Sequence, residues 1–157
     1  GGALSINESW NGSAWTEVGD MNTARKDCGG AGTSTAALAI GGQAPSDSAL
    51  NESWNGSAWT EVGDLNTAVF SQGSAGTQTS AIKFGGNPTS PGALTESWDG
   101  SSWTEVADLA QKSAGQGSAG VSASSAASLA GYNGTANIAN VEEWTAAAFE
   151  VKTLTTS

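Results

Sequence analysis

Carboxylates recur along this chain at near-constant spacing. Glu8, Glu52, Glu96 and Glu142 form one set, and Glu17, Glu61, Glu105 and Glu150 a second. Paired carboxylates can hydrolyse glycosidic bonds or hold calcium. An active site is ordinarily built once, whereas these residues return in every unit, so they are expected at exposed outer-strand positions that keep sheet edges soluble. Asp20, Asp64 and Asp108 recur in the same way and are expected to fix turns into the next unit. The run Gly115-Gln-Gly-Ser-Ala-Gly120 matches the dinucleotide fingerprint, but that motif needs a strand before it and a helix after it. Here it repeats Ser71-Gln-Gly-Ser-Ala-Gly76 and reads as an inner strand. The chain has no His, which removes the usual general base and the commonest transition-metal ligand. Its single Cys28 cannot form an internal disulfide. No catalytic, cofactor-binding or metal-binding residue is assigned, no cofactor is expected, and the chain reads as a non-enzyme.

Composition narrows the partners. Fifteen acidic residues against five basic ones give a net charge of −10, so no cationic stripe is available for nucleic acid or an anionic membrane. No apolar run approaches the roughly 20 residues that cross a bilayer. Leu, Ile, Val and Phe total only 22 of 157 residues, too few for an ordinary aliphatic core. Seven Trp compensate, since burying one removes roughly 200 Å² of apolar surface, worth about 5 kcal/mol before entropy is charged.

Every Trp belongs to a repeat. Trp10, Trp54 and Trp98 are 44 residues apart and Trp144 follows at 46, while Trp15, Trp59 and Trp103 keep step, with Phe149 in the fourth copy. A period in the forties suggests propeller blades or paired helices. Asn11-Gly12, Asn55-Gly56 and Asp99-Gly100 lie between short alternating segments, which signals hairpins with two-residue type I′ turns. Such a turn sets Trp10 opposite Ser13 and Glu8 opposite Trp15, with the two indoles diagonal on one face and Asn7, Ser9, Ala14 and Thr16 on the other. A sheet bulky on one side and small on the other can stack on copies of itself. Four strands per unit are expected: a small-residue inner strand near Asp27–Ala31, then Thr35–Ile40, Leu50–Trp54 and Ala58–Val62. Four of the five Asn-x-Ser/Thr sites (Asn7, Asn11, Asn51, Asn55) belong to the repeated hairpin and the fifth is Asn133; turn chemistry accounts for them better than glycosylation does.

The Gly41-Gly42 and Gly85-Gly86 pairs, the Glu-x-aromatic strand and the tight turn before Trp resemble kelch repeats and the related central domain of galactose oxidase. The wording Glu-Ser-Trp-(Asn/Asp)-Gly-Ser-(Ala/Ser)-Trp is similar to kelch-like proteins encoded by marine bacteriophages, often virion or tail-associated components. The resemblance covers essentially the whole chain and implies an all-β, kelch-like β-propeller of four-stranded antiparallel blades of about 44 residues. The last copy departs from it, with Gly131-Tyr132 in place of Gly-Gly, and reads as a terminal blade. Galactose oxidase chemistry is not implied, because its copper site needs histidines.

The expected units are a half blade over 1–23, blades over 24–67 and 68–110, and a terminal blade over 111–157. Fourteen strands make three and a half blades, whereas propellers have four to eight. Gly1 is therefore expected not to be the biological start, with a longer parent chain or a homo-oligomer supplying the rest, while the fading last repeat reads as a C-terminus. Turns between second and third strands vary among copies (Gly41–Ala49, Gly85–Ala93, Gly131–Ala139), as do the connections between blades, and in an up-and-down blade both emerge on one face. Arg25, Lys26, Asp47, Ser48, Asn87, Tyr132 and Asn133 are the candidate contact residues there. The expected role is a structural propeller of a bacteriophage virion (tail, fibre or capsid-associated) that contacts other virion proteins or a host-surface glycan or protein. The alternative is a secreted bacterial carbohydrate-binding module. The location expected is the virion or the extracellular space.

Overall fold

The computed structural model describes residues 2–87 and 92–146. Its thirteen strands form four antiparallel sheets, and no helix occurs among the described residues. The first sheet is the hairpin β1 (Asn7–Trp10) and β2 (Trp15–Val18). Two four-stranded meanders follow. One contains β3 (Gly29–Thr33), β4 (Ala36–Ile40), β5 (Asn51–Trp54) and β6 (Trp59–Val62). The other contains β7 (Gly73–Thr77), β8 (Ser80–Phe84), β9 (Thr95–Trp98) and β10 (Trp103–Val106). In the last sheet β11 (Gly117–Ser122), β12 (Ser125–Tyr132) and β13 (Asn137–Thr145) are paired. The expected fourteenth strand and Phe149 fall outside the described residues. The protein has a propeller-like, repeated-blade fold.

Strand order within each full blade is strictly sequential, so the glycine-rich strand is innermost. Side-chain size explains why. Inner strands of neighbouring blades come close enough for the Ser74 hydroxyl to donate to the Gly30 carbonyl at 2.9 Å and to accept from the Gly30 N–H at 2.8 Å. Ser118 repeats the donation one blade on, to the Ser74 carbonyl at 2.8 Å. Larger residues would hold the blades apart at this radius.

The hairpin differs from expectation by two residues of register. Trp10 pairs directly with Trp15, and likewise Trp54 with Trp59 and Trp98 with Trp103. The cause is the side chain of the first loop residue. Asn55 Oδ1 accepts from the Ser57 and Ala58 backbone N–H groups and the Ser57 hydroxyl, which closes a four-residue loop; Asn11 and Asp99 do the same. Only the following glycine takes positive φ, +94° at Gly56, so the two left-handed residues of a type I′ turn are not present. The paired indoles sit with ring centroids 5.3–5.5 Å apart, tilted by 37–44°.

Blades stack face to face. The Trp98–Trp103 face of one blade, with Ala81, packs on Leu38 and Ile40 of the blade before it, joined by Leu65 and Val69 from the connection between them. The next joint sets Ile82, Phe84 and Ala75 against Ala126, with Trp144 and Leu109 alongside. Indoles therefore cover the small and aliphatic side of the preceding blade, and a chain poor in aliphatics closes its core. Each joint is also stitched by polar bonds: Gln72 Nε2 donates to the Ile40 carbonyl at 2.6 Å, and Gln116 Nε2 to the Phe84 carbonyl at 2.9 Å. The fingerprint-like Gly115–Gly120 segment is thus spent on blade docking, its Gln116 reaching back and its end running into β11.

The Gly-Gly pairs end the second strand with two left-handed residues, φ +57° and +105° at Gly41 and Gly42. A Cβ on Gly86 would stand 2.2 Å from Val69 Cγ2, so the second position has no room for a side chain. Register shows that the last blade fills these positions with Ala130 and Gly131, rather than with Gly131-Tyr132. Tyr132 is instead the final residue of β12.

Candidate contact face

The recurring carboxylates were expected in solvent, and for Glu17, Glu61 and Glu105 that is where they lie; Glu150 is outside the described residues. Glu52 and Glu96 are buried, which corrects the expectation for the third strand. Each gathers donors from the connection entering its blade. Glu52 accepts from the Asn22 N–H at 2.7 Å, Asn22 Nδ2 at 2.9 Å and the Thr23 N–H at 3.2 Å. Glu96 holds Asn66 and Thr67 identically, and Glu142 holds the Ala110 and Gln111 N–H groups. A carboxylate with its lone pairs filled by backbone donors can be buried where a bare one could not.

The compensating cation changes place between blades. Arg25, from the connection, reaches Glu52 at 3.0 Å and also donates to the Gly41 and Leu50 carbonyls. In the next blade Val69 takes the place of Arg25, and Lys83, from the strand opposite Glu96, approaches it at 3.3 Å. Burial pushes the Lys83 ammonium below its ordinary range, and the facing Glu96 opposes that shift. Arg25 is therefore an internal ion-pair residue and not a contact residue. Nothing in the spacing of Glu52 pointed to it. The absence of a cation at the Val69 position, with a lysine appearing at 83 on an otherwise apolar strand, was the available signal.

The second-to-third-strand loops and the blade connections do meet on one face. Lys26 and Gln43 exchange backbone hydrogen bonds at 3.1 and 2.8 Å, and Ala114 and Tyr132 do so at 2.9 Å. Asn87 donates from its backbone to Phe70 at 3.0 Å and from its side chain to Asp47 Oδ2 at 3.4 Å. Residues 88–91 of that loop are outside the described set. Ser48 is structural, its hydroxyl accepting from the Leu50 N–H at 3.1 Å. Asn133 is structural too: its Oδ1 takes the Thr135 and Ala136 N–H groups at 2.9 Å and closes a short hairpin where the earlier blades have a long loop. Lys26 and Tyr132 are exposed and Asp47 is half-buried, so these with Asn87 are the side chains that give the face its character. Cys28 is half-buried behind Lys26, and burial pushes its thiol above its ordinary value while Arg25 opposes.

No protein-family model matches the sequence, and no curated protein matches it. Among solved structures the chain is similar to YjhT, with a TM-score of 0.73 at 14% identity over 90% of this chain. It spans about half of that structure, 48% of its length. This likeness concerns the fold.

Proposed function

We propose that the chain is a non-enzymatic binding and assembly module, of the kelch-like type found among bacteriophage virion components, which presents one loop face to a neighbouring virion protein or a host-surface molecule. The observation that carries this reading is a division of labour among residues. Side chains that repeat from blade to blade are consumed by the frame: tryptophans in the joints, Glu52 and Glu96 in buried ion pairs, Asn55 and Asp99 in hairpin loops. Side chains that differ between blades, Lys26, Asp47, Asn87 and Tyr132, collect on one face. Varied chemistry on a rigid repeating support suits recognition, and Glu52 and Glu96 are held in the frame rather than presented as an acid and a base.

A carbohydrate-binding module is the second reading, favoured by the exposed ring of Tyr132 beside polar Asn and Asp side chains. A glycan array and a binding assay on phage particles and host envelopes separate the two. Binding to particles or envelopes that Tyr132→Ala and Lys26→Glu weaken, with no free sugar bound, supports the virion reading. Binding to free glycans favours the second reading, and full binding by both variants overturns the choice of face.

A further inference from the structure

We propose that the Asn11-Gly12 and Asn55-Gly56 hairpin tips are self-modification sites, where the glycine nitrogen attacks the asparagine carboxamide, expels ammonia and leaves a succinimide that water opens to an acid. The sequence supplies the reacting pair, since glycine has no side chain to shield its own nitrogen. The structure supplies the electrostatics. Asn55 Oδ1 accepts from the Ser57 N–H at 2.9 Å, the Ser57 hydroxyl at 2.9 Å and the Ala58 N–H at 3.0 Å. Ser13 and Ala14 hold Asn11 Oδ1 at the same three distances. Three donors thus converge on the oxygen that becomes negative when the carbonyl is attacked, the arrangement that stabilises oxyanions in acyl transfer.

The groups that must move are unencumbered. Among the described residues neither Asn55 Nδ2 nor the Gly56 N–H takes part in a hydrogen bond, the same holds for Asn11 and Gly12, and all four residues are exposed. In the first step the bond from Gly56 N to Asn55 Cγ forms, the Gly56 amide proton passes through water to Nδ2, and the Cγ–Nδ2 bond breaks to release ammonia. One water then opens the ring, at Cγ to give aspartate or at the main-chain carbonyl to give isoaspartate. Other asparagines lack these conditions. Asn22 and Asn66 Nδ2 donate to Glu52 and Glu96, and Asn51 Nδ2 donates to the Ala49 and Gly63 carbonyls. Each of the three is followed by threonine or glutamate instead of glycine.

The third blade displays the end point. Asp99 stands before Gly100, and its Oδ1 accepts from the Ser101 N–H, the Ser101 hydroxyl and the Ser102 N–H, all at 2.8 Å. An aspartate product therefore fits the hairpin unchanged. Those bonds hold the Asp99 carboxyl at about 2, so it is ionised at neutral pH and resists attack by its glycine. The reaction stops after one round. Asn133-Gly134 is the slower site, because Asn133 is half-buried and its Oδ1 has only two donors, the Thr135 and Ala136 N–H groups. The tips lie at the blade ends opposite the second-to-third-strand loops, so the modification leaves the contact face untouched.

Peptide mapping by mass spectrometry, with ammonia release measured in parallel, tests this on the folded chain aged in warm, mildly alkaline buffer beside a urea-unfolded sample. Asn11 and Asn55 should convert in the folded chain at least as fast as in the unfolded one. Asn22, Asn51, Asn66 and Asp99 should stay unchanged. Asn133 should lag by about two- to tenfold, the worth of one exposed hydrogen bond. Ser57→Ala, which removes one oxyanion donor, should slow Asn55 by a similar factor and leave Asn11 in the same molecule unaltered. Should that variant fold poorly, the ratio of Asn11 and Asn55 to Asn133 in the unaltered chain carries the test. Asn11 and Asn55 that survive in the folded chain while the unfolded chain loses them overturn the proposal. So does Asn133 converting as fast as they do, or a folded Ser57→Ala chain with an unchanged rate at Asn55.

Discussion

At the residue scale, the most informative side chains are the ones whose burial contradicts their chemistry. Glu52 and Arg25 sit in a joint where each satisfies the other, and removing one partner leaves an uncompensated charge. Arg25→Met is therefore expected to lower stability by about 3–5 kcal/mol, read as a fall in urea midpoint with unchanged slope. Asp99 offers the cleaner pH test. Backbone N–H groups of Ser102 and Ser101 hold its carboxyl at about 2, below the ordinary 3.8. A depressed folded value means its contribution is complete above about 3.8 and is lost as pH falls through about 2. Nuclear magnetic resonance should show the Ser101 and Ser102 amides titrating there, with the Asn11 and Asn55 hairpins silent. The regular return of Glu was visible in sequence, but its burial was not, because that depends on which backbone donors the connection brings to it.

At the scale of the element, the blade is a hairpin built around a side-chain acceptor. Asn-Gly marked the turn correctly and its type incorrectly. The carboxamide of Asn55 captures two backbone donors, widens the loop to four residues, and brings Trp54 and Trp59 directly opposite. Asn55→Ala should cost about 1–2 kcal/mol through the lost hydrogen bonds, and Asn55→Asp should restore most of it, as Asp99 does naturally. Chemical denaturation of both variants checks the pair. Strand order was legible because Gly, Ala and Ser crowd one strand and Trp flanks the turn, whereas the inner strand runs over Gly29–Thr33, two residues later than the expected Asp27–Ala31. The four-residue loop was not, because the choice between backbone and side-chain closure leaves the same letters.

At the scale of the whole molecule, the arrangement is a stack of sheets, each with a large face and a small one. Segregation of size by strand parity was readable from the repeat, and so was the pairing of unlike faces. The ion pairs that differ from joint to joint were not, since Arg25 and Lys83 reach their carboxylates from different elements. Trp98→Ala alone should cost about 3–5 kcal/mol as a core truncation. The most direct measurement of the stacking is a double-mutant cycle between Leu38→Ala and Trp98→Ala, which lie in neighbouring blades and in one buried cluster. Packed faces require a coupling energy of about 1 kcal/mol or more, with Leu38→Ala and Leu129→Ala additive as the control. Additivity of Leu38→Ala and Trp98→Ala to within about 0.3 kcal/mol would contradict the stacking of indole on aliphatic face.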